Sequence, residues 1–190
     1  MAFALHNYAL AILLLVIIPF EGTYGSHHHQ HKHKHQHLKS LHFSLFQHET
    51  VNKTGYIIVN GVEGGPRITA TTAPFGTIFV FQDPLTVTAN RSSKVVGIDE
   101  GTTFTTSNDG LLSLSIAKLT LRLKHHKGSI SVVGGTNNIK ASNLPVVGGT
   151  EDFLFVQGYV TASPVDLKGL AVVYKVEFHL YWPPYATQAS

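Results

Sequence analysis

The chain has 190 residues, 43% of them hydrophobic, which is enough to bury the core of one domain. It contains no cysteine, and this excludes disulfides and a cysteine nucleophile. The formal net charge is +3, and because lysine and arginine are spread along the chain it is not the concentrated basic patch of a nucleic-acid-binding protein.

An apolar stretch, "YALAILLLVIIPF", lies within the first 25 residues. It has the length of the hydrophobic region of a secretory signal and is too short to span a bilayer comfortably. Thr23 and Gly25 supply the small residues of a cleavage site after Gly25. We therefore predict a signal peptide over residues 1–25 and a secreted protein without a membrane anchor after cleavage. The sequons at Asn52 and Asn90 are the predicted glycosylation sites, which should lie on surface loops.

A histidine-rich tract, "HHHQHKHKHQH", occupies residues 27–37 and holds seven of the thirteen histidines. It has no apolar residue that could pack into a core, so we predict a disordered linker over residues 26–40. Two functions remain open for it besides that of a solvated linker. It could capture metal ions, or it could gain positive charge at acidic pH and adhere to acidic polysaccharide.

From residue 41 onward, segments with alternating apolar and polar residues recur between turn signals, and none has the apolar stripe of a helix. The domain, predicted over residues 41–185 with a tail at 186–190, is therefore all-β. The predicted strands cover 41–48, 55–60, 77–83, 94–99, 111–123, 128–133, 153–161 and 170–182.

Two of these strands have informative patterns. In "LAVVYKVEFHLYW" every second residue from Leu170 to Trp182 is apolar, while Lys175, Glu177 and His179 take the other face, which predicts one buried face. In "LLSLSIAKLTLRL" the apolar parity changes, which predicts a bulge or bend near Ala117 and Lys118. The repeated "VVGGT" is interpreted as a sequence that marks the ends of strands, in which the valines pack in the sheet and the glycines allow a bend. The first copy ends the sixth strand and the second precedes the seventh.

Eight antiparallel strands without helices favour a single-domain, closed up-and-down β-barrel, with an interior for side chains or one small ligand. A two-sheet sandwich is the alternative.

Four motifs in order, "FGTIFVFQDPLT", "SSKVVGIDEG", "LPVVGGTEDFLFVQGYV" and "YKVEFHLYWP", resemble those of the plant dirigent family over about residues 41–185. The resemblance implies a glycosylated eight-stranded barrel in the apoplast or cell wall, a homotrimer and no cofactor. It also implies binding of phenoxy radicals or quinone methides and control of their stereochemistry, as in lignan coupling, with an external laccase or peroxidase as oxidant. The related pterocarpan synthases dehydrate isoflavanols through a quinone methide.

The resemblance also suggests site residues. Glu49 stands where many members have the acid of "FHD", Asp152 is retained in "GTEDFLFVQG", and Gln157 replaces an arginine of the members that couple radicals. Loss of that cation leaves room for a dehydrating role. We predict Asp152 as the acid, Glu49 as its partner and Gln157 as a hydrogen-bond donor. The further pocket candidates are His48, Asp83, Thr103, which stands near a position often held by tyrosine, and His179.

Three functions stay open at this point. They are a guide of radical coupling, a hydro-lyase acting on a small phenolic alcohol, and a lipocalin-like carrier without chemistry. Glu49, His48 and His179 do not have the spacing of a metal site, so no metal is expected.

Overall fold

The computed structural model describes residues 39–187, which belong to one compact unit. The predicted signal peptide, the histidine tract and residues 188–190 lie outside the described residues. Within residues 39–187, no helix has the length and hydrophobicity needed to cross a membrane.

Nine antiparallel strands form one sheet, with two short 3-10 helices at Glu151–Phe153 and Pro184–Thr187. The strands are β1 (Lys39–Thr50), β2 (Gly55–Val59), β3 (Ile78–Thr86), β4 (Val95–Thr105), β5 (Leu112–Arg122), β6 (Lys127–Asn137), β7 (Ser142–Gly149), β8 (Gln157–Lys168) and β9 (Ala171–Trp182). They follow the order β1-β9-β8-β7-β6-β5-β4-β3-β2, and a pairing of β1 with β3 closes the sheet.

The predicted eight-stranded antiparallel barrel is confirmed, but a different set of eight strands forms it. The predicted strand 55–60 is β2, an extra strand that pairs with the first half of β3 and makes one isolated bridge from Gly55 to Val51. The prediction missed β7, because "NLP" was taken as a breaker. Pro145 is tolerated there because β7 pairs with β8 up to this residue and with β6 only from Val146 onward.

Two other strand boundaries differ from the prediction. The "DP" pair of residues 83 and 84 does not end β3, which continues to Thr86, so Asp83 lies inside the strand. The predicted strand start at 153 is wrong, because Glu151–Phe153 form a 3-10 turn and β8 begins at Gln157. Positive φ angles at Glu151 and Phe155 produce this turn, which seats Phe153 in the core.

The predicted bulge in β5 is wrong. β5 pairs with β4 and with β6 without a register shift from end to end. Ser113, Ser115 and Ala117 face inward in its first half, while Leu114 and Ile116 face outward. The apolar parity therefore changes because one end of the barrel interior is polar, and not because the strand bends.

The two "VVGGT" segments lie in adjacent strands, and Val132 of β6 stands opposite Val146 of β7. The first copy lies at the end of its strand as interpreted, since β6 ends at Asn137, although its glycines belong to the strand and do not form a turn. Gly149 ends β7 where the chain turns back closely, because a Cβ atom at this position would clash with the carbonyl oxygen of Phe153. The glycine is thus required by close backbone approach.

The core lies toward one end of the barrel. The inward face of β9 is buried as predicted and packs against inward residues of the other strands. Phe153 and Trp182, with ring centroids 6.3 Å apart, fill this end. The packed end leaves free space only toward the opposite end, where β5 begins and β4 and β6 end.

The outer surface of β3 to β6 carries a continuous row of apolar side chains, here called the outer apolar patch. Ile78 stands opposite Phe104, and Phe104 opposite Leu114; in the neighbouring row Ile116 stands opposite Val133. Leu114 and Ile116 are 40% and 43% exposed. An exposed apolar surface of this kind is typical of a protein interface.

Candidate active site

A cavity of about 140 Å³ opens at the end of the barrel opposite the packed core. Its deeper wall is apolar and includes Phe81, Leu119 and Val176. Its mouth is closed on one side by the loop residues 68–73, which follow β2. Asn138 holds this loop, since its side-chain amide donates hydrogen bonds to the carbonyl oxygens of Thr71 at 2.9 Å and Gly110 at 3.3 Å.

Three carboxyl groups lie in or beside this cavity, on three neighbouring strands. Glu49 of β1 and Asp99 of β4 line it. Asp83 of β3 stands directly opposite Asp99 in the strand register and is fully buried. Gln47, two residues before Glu49 and on the same face, donates a hydrogen bond of 2.8 Å from its side-chain amide to Asp83.

Burial disfavours the charged form of each acid, and repulsion between neighbouring carboxylates disfavours it further. Desolvation, with repulsion from Asp83 and Asp99, raises the pKa of Glu49 to about 8. Desolvation raises the pKa of Asp83 to about 6, although the Gln47 amide opposes this shift. The pKa of Asp99 is raised well above its ordinary value by desolvation and by Asp83. At neutral pH the cavity therefore contains protonated carboxyl groups that can donate protons.

Hydroxyl groups complete the polar part of the wall. Thr103, Thr105, Ser113 and Ser115 line the cavity near its mouth, and Tyr174 lines it beside Glu49. Burial and the neighbouring acids raise the pKa of Tyr174, so its phenol stays neutral. The arrangement can hydrogen-bond the oxygen atoms of a small aromatic ligand while its apolar part contacts the deeper wall.

The two predicted pocket histidines, His48 and His179, face away from this cavity. His48 is buried on the other side of β1, where its Nε2 lies 2.7 Å from Thr86 Oγ1, and burial and Arg91 lower its pKa. His179 lies on the outer face of β9 and stacks on Tyr159, with ring centroids 4.6 Å apart. Neither histidine lines the cavity, since the side chains of successive strand residues point to opposite faces, and their predicted pocket roles stay predictions.

The structure does not bring Asp152 and Gln157 together with Glu49. Asp152 is exposed, and its Oδ2 accepts a hydrogen bond of 2.8 Å from the backbone N–H of Lys127, the first residue of β6. Gln157 begins β8 and donates a hydrogen bond of 3.3 Å to the Tyr185 hydroxyl. These strand starts lie at the packed end, whereas the cavity is at the other end. The predicted catalytic roles of both residues stay predictions.

The comparisons with known proteins agree with this architecture. The family model described as "Dirigent-like protein" matches residues 40–182. The chain belongs to the dirigent family. It is 29% identical to Dirigent protein 1 of Arabidopsis thaliana over 145 residues, covering 75% of this chain and 78% of that protein. It is 30% identical to Pterocarpan synthase 1 of Glycine max over 140 residues, covering 70% and 74%.

A solved pterocarpan synthase dirigent protein has the same fold, with a TM-score of 0.66 at 23% identity over 76% of this chain and 91% of that one. This likeness shows the fold of the dirigent barrel and leaves the ligand of this member open.

Sequence reasoning missed Asp99 and Tyr174 as cavity residues of this dirigent protein. A signal for both was present. The predicted alternation of the last strand placed Tyr174 on the buried face, and a buried phenol needs a polar neighbour. Asp99 ends the predicted strand 94–99, but only the register of β3 and β4 shows that it stands opposite another acid.

Proposed function

We propose that this dirigent barrel binds a small phenolic compound, supplies a proton during formation of its quinone methide, and fixes the face on which the next bond forms. The observation that carries the proposal is Glu49, an acid that keeps its proton near neutral pH and faces a partly apolar cavity. Such a group is suited to general acid catalysis.

The Glu49 carboxyl donates its proton to the benzylic hydroxyl of the ligand, the carbon–oxygen bond breaks, and water leaves. A phenol group conjugated with that carbon releases its own proton to a water molecule and becomes the carbonyl of the quinone methide. When a second phenol of the same molecule attacks the methide carbon, its proton passes to the Glu49 carboxylate, and the carbonyl oxygen takes a proton back from water to become the phenol again. The net reaction is loss of one water molecule.

The second candidate is a guide of radical coupling, which needs an external laccase or peroxidase. It is supported by the match to Dirigent protein 1, whereas the match to Pterocarpan synthase 1 supports the dehydration. The same cavity would then hold the quinone methides that form after coupling, and the acid would act in ring closure. The expected secretion to the apoplast or cell wall is part of this proposal. Asn52 and Asn90, the proposed glycosylation sites, are both exposed in loops.

A two-arm assay tests the proposal. One arm contains the purified protein and a 2'-hydroxyisoflavanol without oxidant; the other contains coniferyl alcohol with a laccase. We expect chiral product without oxidant in the first arm. Enantiomeric excess in the second arm alone would favour the coupling guide. Tight binding with unchanged ligand in the first arm and racemic product in the second would leave only the carrier.

We further propose that copies of the chain associate through the outer apolar patch, as a homotrimer. The double change Leu114→Lys with Ile116→Lys places two charges in the centre of the patch, so we expect the particle to dissociate. Light scattering at micromolar concentration measures this, and the wild type is expected at three times the chain mass. The matched control is Ser44→Lys on the outer face of β1. A monomeric wild type, or a variant that keeps the wild-type mass, would count against the patch as the interface.

A further inference from the structure

The part of the cavity wall that the structure describes contains acidic side chains but no cationic ones. Among the described residues that line it, the only charged types are Glu49 and Asp99, and there is no lysine, arginine or histidine. A ligand carboxylate would lose its hydration there without gaining an ion pair, and loss of hydration is costly for an ion. The cavity is therefore suited to an uncharged ligand.

Asp99 is the least satisfied polar group of this wall. It is 6% exposed, and its Oδ1 has no hydrogen-bond partner among residues 39–187. Its neighbours in the register are Asp83 on β3 and Leu119 on β5, neither of which can donate a hydrogen bond as a carboxylate or an alkyl group. The side-chain amide of Gln47, another residue of the wall, donates its hydrogen bond to Asp83. Buried polar atoms without a partner are rare and call for an explanation.

We propose that Asp99 is a ligand-binding residue that donates a hydrogen bond from its carboxyl group to an oxygen atom of an uncharged phenolic alcohol, and that the cavity thereby rejects phenolic carboxylates. The proposal deepens the proposed function and rests on it. It is supported by the position of Asp99 in the cavity wall, its unpartnered oxygen, and the lack of a facing cation. Burial, followed by repulsion from Asp83, raises the pKa of Asp99 well above its usual value and so favours the protonated carboxyl, which can act as a donor.

The geometry separates the tasks of the two acids. Glu49 lies on β1 and Asp99 on β4, with β3 between them, so a ligand that contacts both must carry oxygen atoms at two positions. Glu49 acts on the hydroxyl that leaves, and Asp99 orients the ligand by its other oxygen. Asp99 is thus a specificity-determining residue of the same site.

A matched pair of probes tests this. Coniferyl alcohol and ferulate share the phenol ring and differ in a CH₂OH or a carboxylate group, and equilibrium dialysis of the full mature chain at pH 7 gives both dissociation constants. We expect the alcohol to bind at least about tenfold more tightly. Asp99→Ala should weaken alcohol binding by about fivefold to tenfold, the usual effect of one lost hydrogen bond. Asp99→Asn should restore most of that loss, because its amide can also donate.

Two further variants make the test decisive. Thr103→Lys introduces a cation into the wall and is expected to raise the affinity for ferulate relative to the alcohol. Asp166→Ala, on the exposed end of β8, is the matched control and should leave both constants unchanged. Equal binding of the two probes, or an Asp99→Ala variant with wild-type affinity, would overturn the role of Asp99 while leaving turnover through Glu49 intact. Failure of the wild type to bind either probe would overturn the role of Asp99, whereas turnover of the isoflavanol in the oxidant-free arm decides the proposed function separately.

Discussion

Glu49→Gln is expected to lower turnover of the phenolic alcohol about 100-fold or more at pH 6.5, while the ligand still binds. The change keeps the shape and hydrogen-bonding capacity of the side chain but removes the proton that it donates to the leaving hydroxyl. A positioned general acid typically contributes a factor of about 10² to 10⁴. The measurement is kcat and KM in the oxidant-free arm of the assay, with the loss expected in kcat.

The pH profile gives an independent readout of the same group. The protonated form of Glu49 is the active one, so the rate is present below its pKa and is lost as pH rises through about 8. In the Glu49→Gln variant this descending limb should be absent.

Glu177→Gln is the matched control, because Glu177 lies on the outer face of β9 and pairs with Lys175 at 2.7 Å. We expect its rate and profile to equal those of the wild type. Asp152→Asn decides between the two acids: if it lowers kcat while Glu49→Gln does not, the proton comes from Asp152 as the motif suggested, and the assignment to Glu49 is wrong.

The free energy of unfolding is expected to fall as pH rises from 6.5 to 8.5. Glu49 and Asp99 have raised pKa values in the folded protein, so they still hold protons at a pH where the unfolded chain has released them. Stability from such groups is fully present below the unfolded pKa and is lost as pH rises through the folded pKa. Each proton that the folded protein retains after the unfolded chain has released it lowers the free energy of unfolding by about 1.4 kcal/mol per pH unit. His48 acts in the opposite direction at the lower end of this window, because its pKa is lowered in the folded protein while the unfolded chain still releases protons from it just above pH 6.5; this contribution is smaller than that of the two acids.

Asp99→Asn is therefore expected to stabilise the protein at pH 8, by about 1 to 3 kcal/mol, and to flatten the pH dependence. At pH 4 the aspartic acid is neutral in both states, so the variant and the wild type should be nearly equal. Denaturant unfolding at several pH values measures this. The facing groups are Asp83 on β3, Glu49 on β1 and Tyr174 on β9, and none of them is a cation that the substitution would leave unpaired.

Glu100→Gln is the matched control for this experiment. Glu100 is the next residue, but it faces outward, and its hydrogen bond with Lys118 lowers its pKa. Its replacement should not stabilise the protein at pH 8. An unfolding free energy that stays constant or rises between pH 6.5 and 8.5 in the wild type would show that the cavity acids are ionised.

The fold was largely predictable because local patterns express it directly. A strand with one buried face alternates with period two, and β9 shows this from Tyr174 to Trp182, so its inward residues were identified correctly. The structural predictions failed where one sequence pattern can have two physical causes. In β5 the change of parity indicates a polar cavity end as readily as a bulge, and only the continuous pairing with β4 and β6 distinguishes them.

The sequence by itself determined the all-β class, the family motifs and the inward face of β9, because each depends on alternation or on residues that are close in the chain. It favoured a closed barrel over a sandwich, but only the tertiary structure decided the closure and which acids share the cavity. Asp83 and Asp99 are 16 positions apart and meet through the register of β3 and β4, while Asp152, which lies within a family motif, accepts a hydrogen bond from the first residue of β6. The register and closure of a barrel arise from pairing between distant strands, and that pairing determines which face and which end of the barrel each carboxyl group occupies.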